Sequence, residues 1–341
     1  MRSPRLSRIS LTAAAGLAVA ALAAGCSSSG SSGSTSSGSS AKASSSASSG
    51  GKLEQSTITV GALPVVDSAG LYLANKLGYF KQQGLTVNIT SVAQSTQAIP
   101  DMLHGTIAVI AGANYVSFIE AQAKGTAQFK VVAEGVTCKP NTFGVAALPS
   151  SGITSPKDLA GKTVAVNLTN NIQTLTLNAV LKADGVDPSK VKYVVVPFPN
   201  MVTALKAKQV DAISAVEPFL GGALAADGAK QVVSSCDGPT ADMPMSGYLS
   251  TSSWAQQNPN TAKAFQTALL KAQAYADANP AALKAIIPTY TKVTAAQANA
   301  LPLNNYPSTL DPAEITKVLT LMKSGGLATG SVTASSLLLG S

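Results

Sequence analysis

Arginine, histidine and cysteine are scarce in this sequence of 341 residues. Histidine occurs once, at His104, and the only cysteines are Cys26, Cys138 and Cys236, with no Cys-x-x-Cys spacing. A structural zinc site needs several such ligands, so we expect no metal centre. The sequence also lacks a Gly-x-Ser-x-Gly element, a phosphate-binding loop and paired carboxylates. We therefore expect no catalytic residues and no cofactor.

All arginine lies near the N-terminus, at Arg2, Arg5 and Arg8. The formal net charge of +8 becomes +5 when these three charges are subtracted. The lysines are scattered along the chain instead of being clustered. Nothing in this distribution predicts a groove for nucleic acid.

The first 25 residues have the pattern of an export signal. The three arginines precede residues 11–24, an uncharged stretch rich in Ala and Leu that is too short to span a bilayer comfortably. The next residues, Leu22-Ala-Ala-Gly-Cys26, resemble the lipobox of bacterial lipoproteins. This resemblance implies a signal peptide at 1–25 and a lipid-anchored Cys26 at the new N-terminus. An ordinary signal peptide with a chance cysteine is the alternative.

Residues 26–56 consist mainly of Ser, Gly and Ala. Such a segment has too little apolar surface to offset its ordering entropy, so we expect a flexible linker, or merely a disordered terminus. No later stretch is long and apolar enough to be a second membrane span.

Cys138 and Cys236 are the remaining cysteines of the predicted exported protein. Two cysteines in an oxidising compartment favour one disulfide, and two free thiols are the alternative.

From residue 57 onwards, strand-like and helical segments alternate. Apolar runs rich in β-branched residues at 58–63, 85–89, 107–111 and 129–133 are separated by helical patterns, and a second set begins at 162–166. After residue 251 the pattern is helical. Strands separated by helices predict βαβ units, largely parallel sheets and an α/β fold with two lobes.

Several segments, taken together and in their order along the chain, match the pattern of one protein family. They are 71–87 (beginning Leu71-Tyr-Leu-Ala-Asn-Lys-Leu-Gly-Tyr-Phe), 105–109, 123–125, 155–166, 204–219 (ending Val216-Glu-Pro-Phe) and Trp254 with Asn258-Pro259. Together they resemble the solute-binding proteins of ABC transporters of the nitrate, sulfonate and taurine type. That family shares the fold of the thiamine-pyrimidine-synthesis (NMT1/THI5-like) proteins.

This resemblance implies a two-lobed type II periplasmic-binding-protein fold, in which each lobe is a mainly parallel sheet flanked by helices. Lobe 1 would comprise 57–146 and 247–341, and lobe 2 would comprise 147–246. We expect the two crossings between lobes near 144–150 and 245–249.

The implied function is the extracytoplasmic capture of a small organic solute for an ABC importer. The implied partners are the solute, the ABC permease with its ATPase, and the cell membrane through the lipid anchor, with no nucleic acid and a monomeric state. A ligand-binding sensor domain and a THI5-like pyrimidine-synthesis enzyme are the alternatives. The enzyme would need a reactive histidine, a cofactor lysine and a cysteine-rich segment, which the sequence does not offer.

The candidate ligand-binding residues lie in turns that follow predicted strands. Ligands of open α/β sheets bind at the carboxyl ends of the strands, where helix N-termini present free N–H groups. This rule selects Asp67, Ser68, Gly112, Asn114, Tyr115, Thr169, Asn170, Asn171, Phe198 and Glu217. Helix capping is the alternative role for the polar members.

The charge of these candidates bears on the ligand. Arginine guanidinium groups bind oxyanions through paired hydrogen bonds, and the predicted mature chain has no arginine. A carboxylate at Glu217 would repel an anion. We therefore expect a neutral or partly cationic solute, such as a heteroaromatic vitamin precursor, while a nitrate-, sulfonate- or taurine-like ligand held by hydroxyls and backbone N–H groups stays open.

Overall fold

A computed structural model describes residues 51–226 and 228–340. The predictions for the signal peptide at 1–25, for Cys26 and for the linker up to residue 50 lie outside the described residues.

The strands of the described chain are short and mostly buried. In chain order they are β1 (Thr57–Ala62), β2 (Thr86–Ser91), β3 (Val109–Ala113), β4 (Phe129–Thr137), β5 (Phe143–Ala147), β6 (Thr163–Val166), β7 (Lys192–Val195), β8 (Ala212–Val216), β9 (Lys230–Ser234) and β10 (Pro244–Thr251).

The helices flank these strands, and several begin at a proline or at a capping side chain. They are α1 (Ala69–Lys76), α2 (Tyr79–Gln82), α3 (Ile99–Leu103), α4 (Tyr115–Ala123), α5 (Ile172–Ala183), α6 (Phe198–Lys206), α7 (Phe219–Ala226), α8 (Ser252–Gln257), α9 (Pro259–Ala278), α10 (Pro280–Ile286), α11 (Ala295–Ala300), α12 (Pro312–Ser324) and α13 (Ala334–Leu337).

The strands form two five-stranded sheets. The first has the order β2-β1-β3-β10-β4 and the second the order β7-β6-β8-β5-β9. In each sheet four strands run in one direction, and the fifth, β10 or β5, is antiparallel to both of its neighbours. Every residue of β3, β5, β8 and β10 is buried, as expected for central strands covered on both faces. The predicted fold class, with two mainly parallel sheets flanked by helices, is confirmed.

The connections between the sheets lie outside the segments predicted for them. The chain leaves the first sheet after β4 and enters the second at β5, so the outward crossing is 138–142. It returns between β9 and β10, at 235–243. The predicted crossings at 144–150 and 245–249 are therefore wrong, because β5 and β10 pair with strands that are distant in sequence, which a local pattern does not reveal. The lobe boundaries at 146 and 247 stay predictions, although strand pairing assigns all of β5 to the second sheet and all of β10 to the first.

The two crossings are covalently joined. Cys138 and Cys236 form a disulfide with their Cα atoms 5.4 Å apart. The bridge closes a loop with a sequence separation of 98 residues, which contains the whole second sheet. The predicted disulfide is present.

Residues 51–56, which the sequence assigns to the linker, contact α9. The Glu54 carboxylate accepts hydrogen bonds from the backbone N–H groups of Asn260 (3.2 Å) and Thr261 (2.9 Å) in the first turn of that helix. Burial raises the pKa of Glu54, but these bonds and those from the side chain of Thr261 outweigh it and lower the pKa to about 2. The end of the predicted linker therefore acts as a cap for α9, whose N-cap residue Asn258 makes no side-chain cap bond.

No helix in residues 51–226 or 228–340 is both long enough and apolar enough to cross a membrane.

Replacing both bridging cysteines, as Cys138→Ala with Cys236→Ala, should lower the free energy of unfolding by about 2–4 kcal/mol. The bridge closes a long loop in the unfolded chain and so lowers the conformational entropy of that state. Loss of the bridge therefore favours the unfolded state. Urea unfolding followed by circular dichroism measures the change, and wild-type protein in a reducing buffer provides the matched control. An unchanged midpoint in the double variant would contradict this account.

Candidate functional site

A small cavity of about 30 Å³ lies between the ends of strands from both sheets. The first sheet contributes the turn after β1, the end of β3 and the start of β10, and the second sheet contributes the turn after β6 and the end of β8. The lining residues are Leu63, Val65, Asp67, Gly112, Asn114, Asn167, Asn171, Ile172, Gln173, Phe198, Val216, Met245 and Ser246. This is where the parallel-sheet rule predicts a ligand.

Asp67 is the ionisable side chain of this lining. It sits in a single 3₁₀ turn, Val66–Ser68, and only 5% of its surface is exposed. Its carboxylate accepts a hydrogen bond from the hydroxyl of Ser246 on β10, over 2.6 Å. Burial raises the pKa of Asp67 to about 6, and the bond from Ser246 opposes that rise.

The backbone of the turn that carries Asp67 is held by three tyrosines. The hydroxyls of Tyr290, Tyr306 and Tyr248 donate to the carbonyl oxygens of Val65 (3.2 Å), Val66 (2.9 Å) and Asp67 (3.3 Å), respectively. Tyr248 lies on β10, and the other two lie in the C-terminal part of the chain. Three consecutive carbonyl groups thus accept from side chains that are distant in sequence, and those of Val65 and Val66 also accept from the backbone N–H groups of Ser68 and Ala69. These contacts fix the direction of the Asp67 side chain.

Amide side chains form the opposite wall at the start of α5. Asn171 is the N-cap and accepts a hydrogen bond from the backbone N–H of Thr174 over 3.1 Å. Gln173 accepts from the backbone N–H of Asn167 (2.6 Å) and from the Asn171 amide (2.9 Å), and it donates to the carbonyl oxygen of Ser214. The side-chain oxygen of Asn167 is buried and accepts no hydrogen bond from the described residues.

On the first sheet, Asn114 and Gly112 shape the wall at the end of β3. Asn114 caps α4 by accepting from the backbone N–H of Ser117 (3.0 Å), and its amide donates to Ser95 (3.3 Å). Gly112 has a φ of 70°, and a Cβ there would lie 3.0 Å from the hydroxyl oxygen of Ser68. A larger residue at this position would therefore be strained and crowded.

Hydrogen bonds between the two lobes surround the cavity. The amide of Gln94 donates to the carbonyl oxygen of Asn167, and the backbone N–H of Val66 donates to the carbonyl oxygen of Glu217 over 3.1 Å. A third bond joins the hydroxyl of Ser117 to the carbonyl oxygen of Asn170, over 3.3 Å. Together they hold the lobes in contact, which accounts for the small volume.

Half of the candidates chosen from the sequence line this cavity. They are Asp67, Gly112, Asn114, Asn171 and Phe198. The ring of Phe198 stacks on that of Phe219, with centroids 5.6 Å apart.

The other five candidates lie elsewhere. Ser68 is completely buried behind Gly112, and Tyr115 is completely buried against Gly247. Thr169 and Asn170 line a separate cavity of about 380 Å³ between α5 and α12. The side chains of Ser68 and Tyr115 are thus in the core, whereas Thr169 and Asn170 face a second space between the lobes, since α12 packs against α4 and β10 of the first lobe.

Glu217 caps a helix on the far side of β8. Its carboxylate accepts a hydrogen bond from the backbone N–H of Gly221 in α7, over 2.9 Å, and only 1% of its surface is exposed. Burial raises the pKa of Glu217 to about 7, against the effect of the bond from Gly221. The side chain opens onto an apolar groove of about 690 Å³ between α7 and α11, not onto the cavity that contains Asp67.

Sequence reasoning missed several residues that shape the site. Asn167 directly follows β6, and its position in a strand-to-helix turn could have selected it. Gln173 and Ser246 act through contacts across the fold, and so do Tyr290 and Tyr306, so no local signal identifies them.

The fold and the cavity define the class of the protein as a two-lobed type II binding-protein fold with a site between the lobes. A family model described as NMT1/THI5 like matches residues 65–283, and the chain belongs to this family. The resemblance seen in the sequence is confirmed.

Among curated proteins, the chain is similar to the nitrate/nitrite binding protein NrtA of Nostoc sp. (strain PCC 7120), with 25% identity over 252 residues. The match covers 66% of this chain and 55% of NrtA, so the chain spans about half the length of that relative.

Solved structures share the fold at low identity. The alkanesulfonate-binding protein SsuA of Xanthomonas axonopodis pv. citri, bound to MOPS, has a TM-score of 0.71 at 18% identity, covering 84% of this chain and 99% of SsuA. The nitrate-binding protein NrtA of Synechocystis PCC 6803 has a TM-score of 0.65 at 18% identity, covering 76% and 74%. A desulfurization enzyme, DSZB, has a TM-score of 0.60 at 16% identity, covering 83% and 96%. The fold is therefore found in both binding proteins and an enzyme.

The hydroxyl of Tyr306 can be tested by Tyr306→Phe. The carbonyl oxygen of Val66 then loses one of its two donors and keeps the backbone N–H of Ala69, so the free energy of unfolding should fall by about 0.5–1.5 kcal/mol. Urea unfolding measures the loss. Tyr275→Phe, at a half-buried position on α9, is the matched control and should change little. Equal losses of unfolding free energy in the two variants would show that the hydrogen bond from Tyr306 to the turn does not stabilise the fold.

The raised pKa of Glu217 predicts a pH dependence of stability. The folded-state pKa of about 7 exceeds the ordinary value of 4.5, so the stability associated with the protonated group is complete below pH 4.5 and is lost as the pH rises through 7. The melting temperature of the wild type should therefore fall between pH 5 and pH 8. Glu217→Gln should make this fall smaller. The substitution should not abolish the fall of the melting temperature, because burial also raises the pKa of Glu134 to about 7 and that of Asp67 to about 6. A profile identical to that of the wild type would refute the assignment.

Proposed function

We propose that the protein is the extracytoplasmic solute-binding component of an ABC importer, which captures a small organic solute between its lobes and delivers it to a permease with its ATPase. The observation that supports this proposal is the cavity between the two sheets, lined by strand-end turns of both and surrounded by hydrogen bonds from lobe to lobe. A ligand that touches both walls stabilises the closed arrangement, so binding and closure are coupled.

The proposal includes the location of the protein. Residues 1–25 would direct export, Cys26 would carry the lipid, and the Ser- and Gly-rich segment would hold a monomeric binding domain near its permease on the outer face of the cell membrane. The disulfide between Cys138 and Cys236 agrees with an oxidising compartment.

Binding is favoured over catalysis by the chemistry of the lining. Asp67 is the single ionisable side chain among the residues that line the cavity, and its neighbours are amides, one hydroxyl and apolar groups. General acid–base or nucleophilic catalysis needs a second positioned group with which the carboxyl can act.

Closure can be tested at Gln94, whose amide donates to Asn167 across the cleft. The solute that copurifies with the protein is identified by native mass spectrometry, removed, and added back. Small-angle scattering should show compaction on its return. Gln94→Ala should weaken its binding about two- to tenfold, as measured by calorimetry, because one bond of the closed state is lost.

Gln97→Ala is the matched control. Gln97 is exposed, and its amide donates to Gln94 within the same loop, not across the cleft. Its affinity for the solute should therefore stay within a factor of two of the wild type. Absence of compaction with bound solute would refute the closure mechanism.

A further inference from the structure

The cavity between the lobes is acidic. Asp67 is its single ionisable group, and no lysine, arginine or histidine is among the residues that line it. The arginines of the chain are confined to positions 2, 5 and 8, so none of them belongs to the binding domain. A charged ligand in this cavity would therefore meet a carboxylate without a basic side chain beside it.

The lining offers acceptors to a ligand in addition to amide donors. The side-chain amides of Asn114, Asn171 and Gln173 each use one of their two N–H groups to donate to a protein oxygen. The side-chain oxygen of Asn167 accepts nothing, although only 4% of this residue is exposed. With the Asp67 carboxylate, it leaves two acceptors that a ligand donor can satisfy, and buried acceptors are rarely left unpaired.

From this arrangement we infer that the cleft selects a small organic cation with N–H donors, such as an amidinium or a primary ammonium group, and rejects oxyanions. This inference rests on the proposed function and narrows it to a class of solute. The cavity has a volume of only about 30 Å³ in this arrangement, so no more than a small head group would enter it. The N–H groups would donate to Asp67 and Asn167, on opposite walls, and so join the two lobes.

The ionisable groups that face Asp67 do not change their charge between pH 5 and pH 8. Its ionisable neighbours are tyrosines, namely Tyr115 on α4, Tyr248 on β10, and Tyr290 and Tyr306 in the C-terminal part. Burial raises the pKa of each above its ordinary value, so all four stay neutral between pH 5 and pH 8. Burial raises the pKa of Asp67 to about 6 and those of Glu134 and Glu217 to about 7, but only Asp67 lines the cavity. A change of affinity that Asp67→Asn removes and Glu134→Gln retains is therefore assigned to Asp67. A cation binds the ionised carboxylate, so its affinity falls on acidification. An anion binds the protonated form, so its affinity rises.

Calorimetry with acetamidinium chloride and methylammonium chloride, set against sodium methanesulfonate and sodium nitrate, tests this inference. The full binding domain is used after removal of any copurifying solute. We expect at least one cation to bind at pH 7.5 and to bind about tenfold more weakly at pH 5, because only about a tenth of a group with a pKa of 6 is ionised there. Neither oxyanion should bind at pH 7.5.

Asp67→Asn should weaken cation binding at least tenfold and remove its pH dependence, because the amide keeps an acceptor but loses the charge. Glu134→Gln is the matched control. Glu134 is also a buried carboxylate with a raised pKa, but it accepts from the backbone N–H of Asp311 and does not line the cavity. It should leave cation affinity unchanged. Melting curves verify that both variants fold. If Asp67→Asn does not fold, the pH dependence of cation binding by the wild type, compared with that by Glu134→Gln, still tests the inference.

Binding of methanesulfonate or nitrate in place of the cations, strengthened at pH 5 or by Asp67→Asn, would overturn the inference and leave the solute-binding function intact. Failure of every probe to bind would also overturn it. The proposed function would fall separately, if no solute copurified and scattering detected no compaction with any ligand.

Discussion

The binding site depends on how the turn after β1 is held. The backbone carbonyl groups of residues 65–67 accept hydrogen bonds from three tyrosine hydroxyls, and the N–H of Val66 donates to the carbonyl oxygen of Glu217 in the other lobe. Each of these bonds contributes about 0.5–1.5 kcal/mol, in addition to the backbone bonds that the turn makes within itself. The three tyrosines lie on β10 and beyond it, so the orientation of Asp67 depends on packing of the C-terminal part of the chain against this turn.

The last residue of β8 and the residue that follows it face different sites. Val216 lines the cavity between the lobes, while Glu217 caps α7 and opens onto the apolar groove beside α11. Val216 ends the strand and Glu217 begins the turn into α7, so these neighbours in sequence do not share a site. The carboxylate that reaches the cavity is therefore Asp67. The argument that a carboxylate would repel an anion was made for Glu217, and at this cavity it applies to Asp67, which the sequence had also selected.

The sequence reveals the local part of the fold. The βαβ units were predictable from alternating patterns, whereas β5 and β10 were not, because both of their neighbours in the sheet are distant in sequence. The same limit applies to the site. Gly112, Asn114 and Asn171 follow strands and were found by that rule. The rule names turns but not side-chain directions, so it also selected Tyr115, which packs in the core. Residues such as Ser246, placed by tertiary contacts, were beyond its reach.

The attachment of Glu54 to α9 makes the two lobes mechanically unequal. The segment before β1 is fastened to a helix that packs against α1 and β4, and both belong to the lobe built on the first sheet. Any pull transmitted through residue 51 therefore acts on that lobe alone. In the proposed closure, the first lobe would be the stationary one, and the second, which carries α5 and Asn167, would move. A force applied through the proposed anchor would then not oppose closure.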